Sequence, residues 1–364
     1  MLERFFLRPV STRWLETEGV VARVIELWTS TKEYFTKYLM TSKVQSNKLA
    51  LKTDRFKRIY QFLKLENEAV NLARLQLVLF VARLCRPFLL KLQACRPLVH
   101  ELYAQCEALF IRIGQLVLKE EKLPKTGEAI KKLDLSSDKI FKPSKEAGFR
   151  PMLDATLADV EEKEKLDLLR EMKKAVIEQL KYLQTHLPFS DVFIKNLSFL
   201  HPDLRSSSDL ATSALSVAER LKRFSAAERA NLVVQLAIYQ GLPSNQLPEF
   251  DSLHGRIDHF WRDAFKEIEK ELVAPPAELK KLVKISASLP HGQAFVESGF
   301  STTKYVVTGR NTLSLESVKA QKVVLSGIRA AGGAHLVLIS ANLLNSVNMA
   351  HSRKVADDKG RHQK

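Results

Sequence analysis

Cysteine and histidine are the side chains of this sequence best suited to bind a metal or to react, and their spacing favours neither. The three cysteines are Cys85, Cys95 and Cys106, and each of the first two is followed by Arg-Pro. Structural zinc sites usually take thiolates from a CxxC pair, which this spacing does not provide. We interpret the cysteines as small buried apolar residues in a reducing compartment, and we predict no metal site and no cofactor.

The histidines are scattered along the chain, and no two lie at a ligand spacing beside acidic residues. We therefore assign no catalytic role to His100, His186, His201, His254, His259 or His291. A phosphate-binding loop is not indicated either, because Gly332-Gly333 is isolated and is not followed by Lys-Ser or Lys-Thr. We expect no small-molecule substrate.

Charge is the strongest compositional feature. The chain has 57 Lys and Arg against 41 Asp and Glu, a net charge of +16. Residues 1–60 carry 12 basic and 6 acidic residues, and residues 304–364 carry 10 basic and 3 acidic residues. Such an excess favours polyanions, because bound phosphates release their counterions. A nucleic-acid surface is therefore expected towards the ends of the chain.

Apolar residues recur at helical spacing over most of the chain, and no convincing alternating strand is present. The sequence predicts helices over 69–92, broken or kinked at Pro87, over 152–185, 209–224, 225–239, 257–272, 275–289 and 313–328. Ser225 and Glu228 form a capping-box sequence. The Lys-, Pro- and Gly-containing stretch 122–150 has the composition of a linker or long surface loop.

Secretion and membrane insertion are not expected. Arg8 and Arg13 interrupt the first apolar residues, so no signal peptide is indicated. The apolar run Ala334–Leu344 is too short to span a bilayer. We expect a soluble intracellular protein with no membrane partner, and we favour the nucleus.

Two motifs resemble the C-terminal part of hAT-superfamily transposases. The first is Ser-Thr-Arg-Trp-Leu at 11–15, which is similar to the Arg-Trp motif before the family's helical insertion domain. The second runs from Leu-Pro-His-Gly-Gln at 289–293 through Glu297 to Arg-Asn-Thr-Leu-Ser at 310–314, and is similar to the family's C-terminal signature. Their order along the chain matches the order in the family.

The resemblance implies an RNase H-like domain that holds divalent metal with three carboxylates, of which Glu297 matches the third. The other two would be aspartates upstream of the Arg-Trp motif, and no Asp precedes Arg13 in this sequence. The family usually has Arg where this chain has Ser298. Two-metal phosphoryl transfer needs several converging carboxylates. We therefore expect Glu297 to be vestigial and the chain not to be an enzyme.

The resemblance also implies a fold class and an organisation. We expect a mainly α protein, with a helical insertion-type domain and the helical C-terminal remnant of an RNase H-like domain. The expected regions are an Arg-Trp and insertion-type region at 1–121, a linker at 122–150, a helical region at 151–250, a dimerisation region at 251–350 and a disordered tail at 351–364.

The expected function is a non-catalytic, transposon-derived protein that forms homo-oligomers and binds DNA through its basic ends. Its DNA-contact candidates are Arg13, Trp14 and Arg310, although Trp14 equally fits a helix core. By the resemblance, the dimerisation candidates are Phe295, Phe300, Leu313 and Leu315. Two alternatives stay open: part of an active hAT-type transposase whose aspartates lie outside this chain, or a helical protein-interaction adaptor that does not bind DNA.

Overall fold

The computed structural model describes residues 14–41, 51–64, 68–94, 96–272, 274–292, 314–347 and 349–350. The chain divides into an N-terminal unit, Met1–Gln293, and a C-terminal unit, Ala294–Lys364. The mainly α fold class is confirmed, since β pairing in the described residues amounts to one isolated bridge between Leu118 and Phe141. None of the described helices is both long and apolar enough to cross a membrane.

The N-terminal unit begins with short helices that pack on one long helix. They are α1 (Trp14–Glu26), α2 (Trp28–Glu33), a π-helical turn (Tyr34–Tyr38), α3 (Leu39–Thr41) and α4 (Asp54–Lys64), followed by the long α5 (Glu68–Leu92).

Ion pairs fasten α1 and α2 to α5. The carboxylate of Glu18 accepts hydrogen bonds from Arg83 at 3.3 Å and Arg86 at 2.6 Å, so charge as well as packing holds α1 in place. At the start of α5, Glu68 accepts from the Trp28 indole at 2.6 Å and from Lys32 at 2.5 Å. The sequence predicts a kink or a break at Pro87. The helix continues through Pro87, so a break there is wrong. Proline removes the amide that would donate to the Arg83 carbonyl. Arg112 donates to the next carbonyl, that of Leu84, at 3.1 Å.

A first hydrophobic cluster joins α5 to α6 (Leu102–Gly114) and α9 (Glu162–His186). The chain between α6 and α9 contains α7 (Gly127–Lys132), α8 (Arg150–Leu153) and the 3-10 turns Glu120–Lys122, Asp138–Ile140 and Ser144–Glu146. Its apolar side chains are buried in the cluster: Ile130, Leu135, Phe141, Ala147 and Phe149.

The interpretation of residues 122–150 as a linker is therefore wrong. Lysine, proline and glycine make up 11 of its 29 residues, but its apolar residues other than Ala129 are buried or half-buried. Backbone hydrogen bonds also fix it against the end of α6, since Lys142 donates to the Val117 carbonyl at 2.8 Å and Gly148 to the Leu116 carbonyl at 2.8 Å. A loop held by both backbone pairing and apolar burial is part of the core.

A second cluster is built from the helices after residue 190, together with Val99. They are α10 (Val192–Asn196), α11 (Leu210–Leu221), α12 (Ala226–Gly241), α13 (Ile257–Lys270) and α14 (Ala277–Ala287), with 3-10 turns at Leu197–Leu200, Pro202–Leu204 and Ser244–Gln246. The expected boundary lies between a helical region at 151–250 and a dimerisation region at 251–350. The packing does not follow that boundary, because α13 and α14 share one core with α11 and α12.

Trp261 lies at the centre of the second cluster. It is 1% exposed, its ring is 4.7 Å from that of Tyr239, and its indole donates to the Leu200 carbonyl at 2.9 Å.

The predicted capping box of α12 is confirmed. The Ser225 amide donates to the Glu228 carboxylate at 2.7 Å, and the Glu228 amide donates to the Ser225 hydroxyl at 3.2 Å. The Ser225 amide and Lys281 lower the pKa of Glu228 to about 2.

The C-terminal unit contains the helix α15 (Leu315–Ala330), a 3-10 turn at Ala334–Leu336 and a helical stretch at residues 341–347. Its described apolar side chains are largely exposed to solvent.

Candidate functional site

The segment between α5 and α6 joins the two clusters of the N-terminal unit. Arg96 donates to the carbonyls of Leu253 at 2.5 Å and Gly255 at 3.0 Å. Nearby, His291 lies 3.1 Å from the Ala94 carbonyl. These contacts bring the end of α5 against the loop before α13, and we call this region the junction.

Three potential metal ligands meet at the junction. His100 and Glu101 precede α6, and His201 lies between the 3-10 turns of the second cluster. One ligand atom from each of the three residues lies within 4.8 Å of the others. His100 Nε2 is 3.7 Å from Glu101 Oε1, and the His100 and His201 rings are 5.4 Å apart. Two imidazoles and a carboxylate are thus held together.

The hydrogen bonds of the Glu101 and His201 side chains each involve one of the two polar atoms, Oε2 of Glu101 and Nδ1 of His201. Glu101 Oε2 accepts from Lys91 at 2.6 Å and from Gln105 at 3.4 Å, whereas its Oε1 faces His100. His201 Nδ1 accepts from the Asp203 amide at 3.3 Å and lies 3.8 Å from the Asp203 carboxylate.

His100 is the unusual member of the group. It is 3% exposed, and both of its ring nitrogens are buried without a hydrogen-bond partner. Burial, followed by the positive charge of its neighbours, lowers the pKa of His100 to about 3. The ring is therefore neutral at physiological pH, so one nitrogen presents a free lone pair. Buried polar atoms of this kind cost about 1–3 kcal/mol when nothing binds them.

A second feature is an aromatic and basic surface at the N-terminal helices, formed by Tyr34, Lys37, Tyr38, Arg55 and Arg58. The tyrosine rings stack at 5.5 Å with an interplanar angle of 23°, and they are 42% and 61% exposed. Arg55 and Arg58 are exposed on α4.

Packing beneath this surface fixes the two elements that carry it. Phe35, in the same π-helical turn as the tyrosines, stacks on Phe56 of α4 at 6.2 Å. Phe56 is buried. The stacked tyrosines and the arginines therefore belong to elements that pack against each other.

The third feature is the apolar surface of the C-terminal unit. On α15, Val323 and Val324 are 72% and 60% exposed, and Leu338, after the following turn, is 93% exposed. Ile339, Leu344 and Val347 are also exposed. Solvent-facing apolar residues in this number usually mark a surface that binds a partner.

The sequence-based candidates fall largely outside the described residues. Arg13, Phe295, Glu297, Phe300, Arg310 and Leu313 lie there, as does Cys95. Trp14 and Leu315 are the first residues of α1 and α15, and their side chains are not described. Cys85 and Cys106 are free thiols whose pKa burial raises.

Sequence reasoning missed the junction. It treated His100 and His201 as unrelated because a hundred residues separate them, whereas the structure places them together. The adjacent His100-Glu101 pair directly before a helix was the one signal present. That pair does not indicate which distant residue completes the cluster.

Compared with protein-family models, with curated proteins and with solved structures, the chain has no significant match.

Proposed function

We propose that this chain is a non-catalytic binding protein that contacts single-stranded nucleic acid through its N-terminal helices and self-associates through its C-terminal unit. The observation that carries the first part is the exposed stacked pair Tyr34 and Tyr38 beside a basic helix. The hAT-like origin, with DNA as the nucleic acid and an RNase H-like remnant, belongs to the same proposal and is supported by the Arg-Trp and C-terminal motifs.

Nucleic-acid binding draws on two kinds of contact. Exposed aromatic rings stack on unpaired bases, and each such contact contributes roughly 1–3 kcal/mol. Exposed guanidinium groups neutralise phosphates, with an affinity that falls as salt rises. The surface of Tyr34, Tyr38, Arg55 and Arg58 offers both, and residues 1–60 carry an excess of basic residues.

The double substitution Tyr34→Ala and Tyr38→Ala should weaken binding of a fluorescent single-stranded oligonucleotide by at least about 30-fold, because two stacking contacts of roughly 1–3 kcal/mol each are lost. Fluorescence anisotropy titrations at several salt concentrations measure the effect. Tyr182→Ala is the matched control, since Tyr182 is also an exposed tyrosine but lies on α9.

Either of two results would contradict nucleic-acid binding at this surface. One is an equal loss of affinity in the Tyr182 control and the double variant. The other is an affinity that does not change with salt, which phosphate contacts forbid. The second result would favour the adaptor alternative.

Self-association is the second part of the proposal, and a copy of the same chain is the partner. Val324 lies on α15 between the small residues Ala320 and Gly327, both exposed. Small residues let two helix backbones approach closely. A closed dimer presents the same patch from each copy, so an apolar patch is its own complement. Lys319, one residue before Ala320, is exposed at the edge of this patch and would remain at the rim.

Val324→Glu should raise the dissociation constant of the dimer at least about tenfold, because it places two like charges in a two-fold interface. Sedimentation velocity over a concentration series measures the constant. Lys322→Glu places a negative charge roughly 200° around the helix from Val324 and should leave the dissociation constant unchanged. A wild-type chain that stays monomeric at micromolar concentration is incompatible with self-association.

A further inference from the structure

We propose that His100, Glu101 and His201 form a binding site for a divalent transition-metal ion of the Zn²⁺ class. The site is independent of the nucleic-acid and self-association surfaces. It is carried by the convergence of the three donors and by the two partnerless ring nitrogens of buried His100.

The donor types select the class of ion. Two imidazole nitrogens and one carboxylate oxygen are the protein ligands of several zinc sites that keep a fourth position for water. Mg²⁺ and Ca²⁺ prefer sites made of oxygen atoms, so a set with two nitrogens disfavours them. Both ring nitrogens of His100 are buried without a hydrogen-bond partner, so a ring nitrogen is available to an ion.

The geometry is close to that of a bound site. Zinc bonds of about 2.0–2.1 Å place tetrahedral ligands about 3.3 Å apart. The observed separation of His100 Nε2 and Glu101 Oε1 is 3.7 Å, and the donor atoms all lie within 4.8 Å of one another. Closing the site would therefore bring the donor atoms up to about 1.5 Å nearer to one another.

The surrounding groups support the same assignment. Lys91 and Gln105 hold Glu101 through Oε2 and leave Oε1 for the ion. The Asp203 carboxylate, 3.8 Å from His201 Nδ1, adds a negative charge beside the cluster.

Cobalt titration of the full chain tests the site. After dialysis against a chelator, Co²⁺ should bind with one-to-one stoichiometry and produce visible absorption typical of four or five ligands, and Zn²⁺ should displace it. His201→Ala and Glu101→Gln should each weaken Co²⁺ binding more than about tenfold. His254→Ala is the matched control, because His254 is exposed and pairs with Asp251 outside the cluster.

Stability provides a second measurement. Zn²⁺ should raise the midpoint of thermal unfolding of the wild type and of His254→Ala, and should have a smaller effect on His201→Ala. Circular dichroism of the ion-free proteins checks that His201→Ala is folded. The proposal is overturned if the wild type gives no visible cobalt spectrum, or if His201→Ala and the wild type titrate identically.

Discussion

Replacing Phe149 with alanine should lower the free energy of unfolding by about 3–5 kcal/mol, the usual cost of removing a fully buried phenylalanine ring. Phe149 is 0% exposed and belongs to the first cluster. The Gly148 amide, one residue earlier, donates to the Leu116 carbonyl at 2.8 Å, so the backbone has little freedom to close the resulting cavity. Urea denaturation followed by circular dichroism measures the change.

This substitution distinguishes a core segment from a linker. Lys139→Ala, in the same segment but exposed, should change the free energy of unfolding by less than about 0.5 kcal/mol. If Phe149→Ala proved as mild as Lys139→Ala, residues 122–150 would be a surface connection after all.

Trp261→Ala should cost the second cluster about 3–5 kcal/mol, and at least as much as the loss at Phe149. Two effects combine there. The indole fills the space beside Tyr239, Phe260 and Phe265, and its N–H satisfies the Leu200 carbonyl. Without the indole, that carbonyl loses its side-chain partner, which adds to the cost of the cavity.

Trp261→Phe separates the two effects, since phenylalanine retains most of the packing but cannot donate a hydrogen bond. It should cost about 1–2 kcal/mol less than the alanine variant. Leu253→Ala, at an exposed apolar residue in the loop before α13, serves as the control and should be nearly neutral. An alanine variant within 1 kcal/mol of that control would mean that α13 does not organise this cluster.

The sequence predicted the long helices because their apolar residues repeat with the helical period. Ser225 and Glu228 predicted the start of α12 because the capping box is a local device that neighbouring residues complete. The same reasoning failed for residues 122–150. Composition indicated a loop, but burial of Phe141 and Phe149 depends on where α6 and α9 place their apolar faces.

The candidate sites were less accessible to sequence reasoning. His100 and His201 meet because Val99 packs into the second cluster while the helix that follows packs into the first. Such a meeting depends on tertiary packing, which no spacing rule encodes. The exposed tyrosines of the π-helical turn carried no motif, and only the basic excess around them favoured a polyanion surface.

The separation of the two clusters by a polar junction has a consequence for how the N-terminal unit opens. Each cluster has its own apolar core, and Arg96 links them by donating to the Leu253 and Gly255 carbonyls. Cooperative opening units tend to follow such boundaries. Amide hydrogens of α6 and of α13 should therefore exchange with deuterium as two groups with distinct protection. With an ion bound at the junction, the amide hydrogens of α6 and α13 should exchange as a single group.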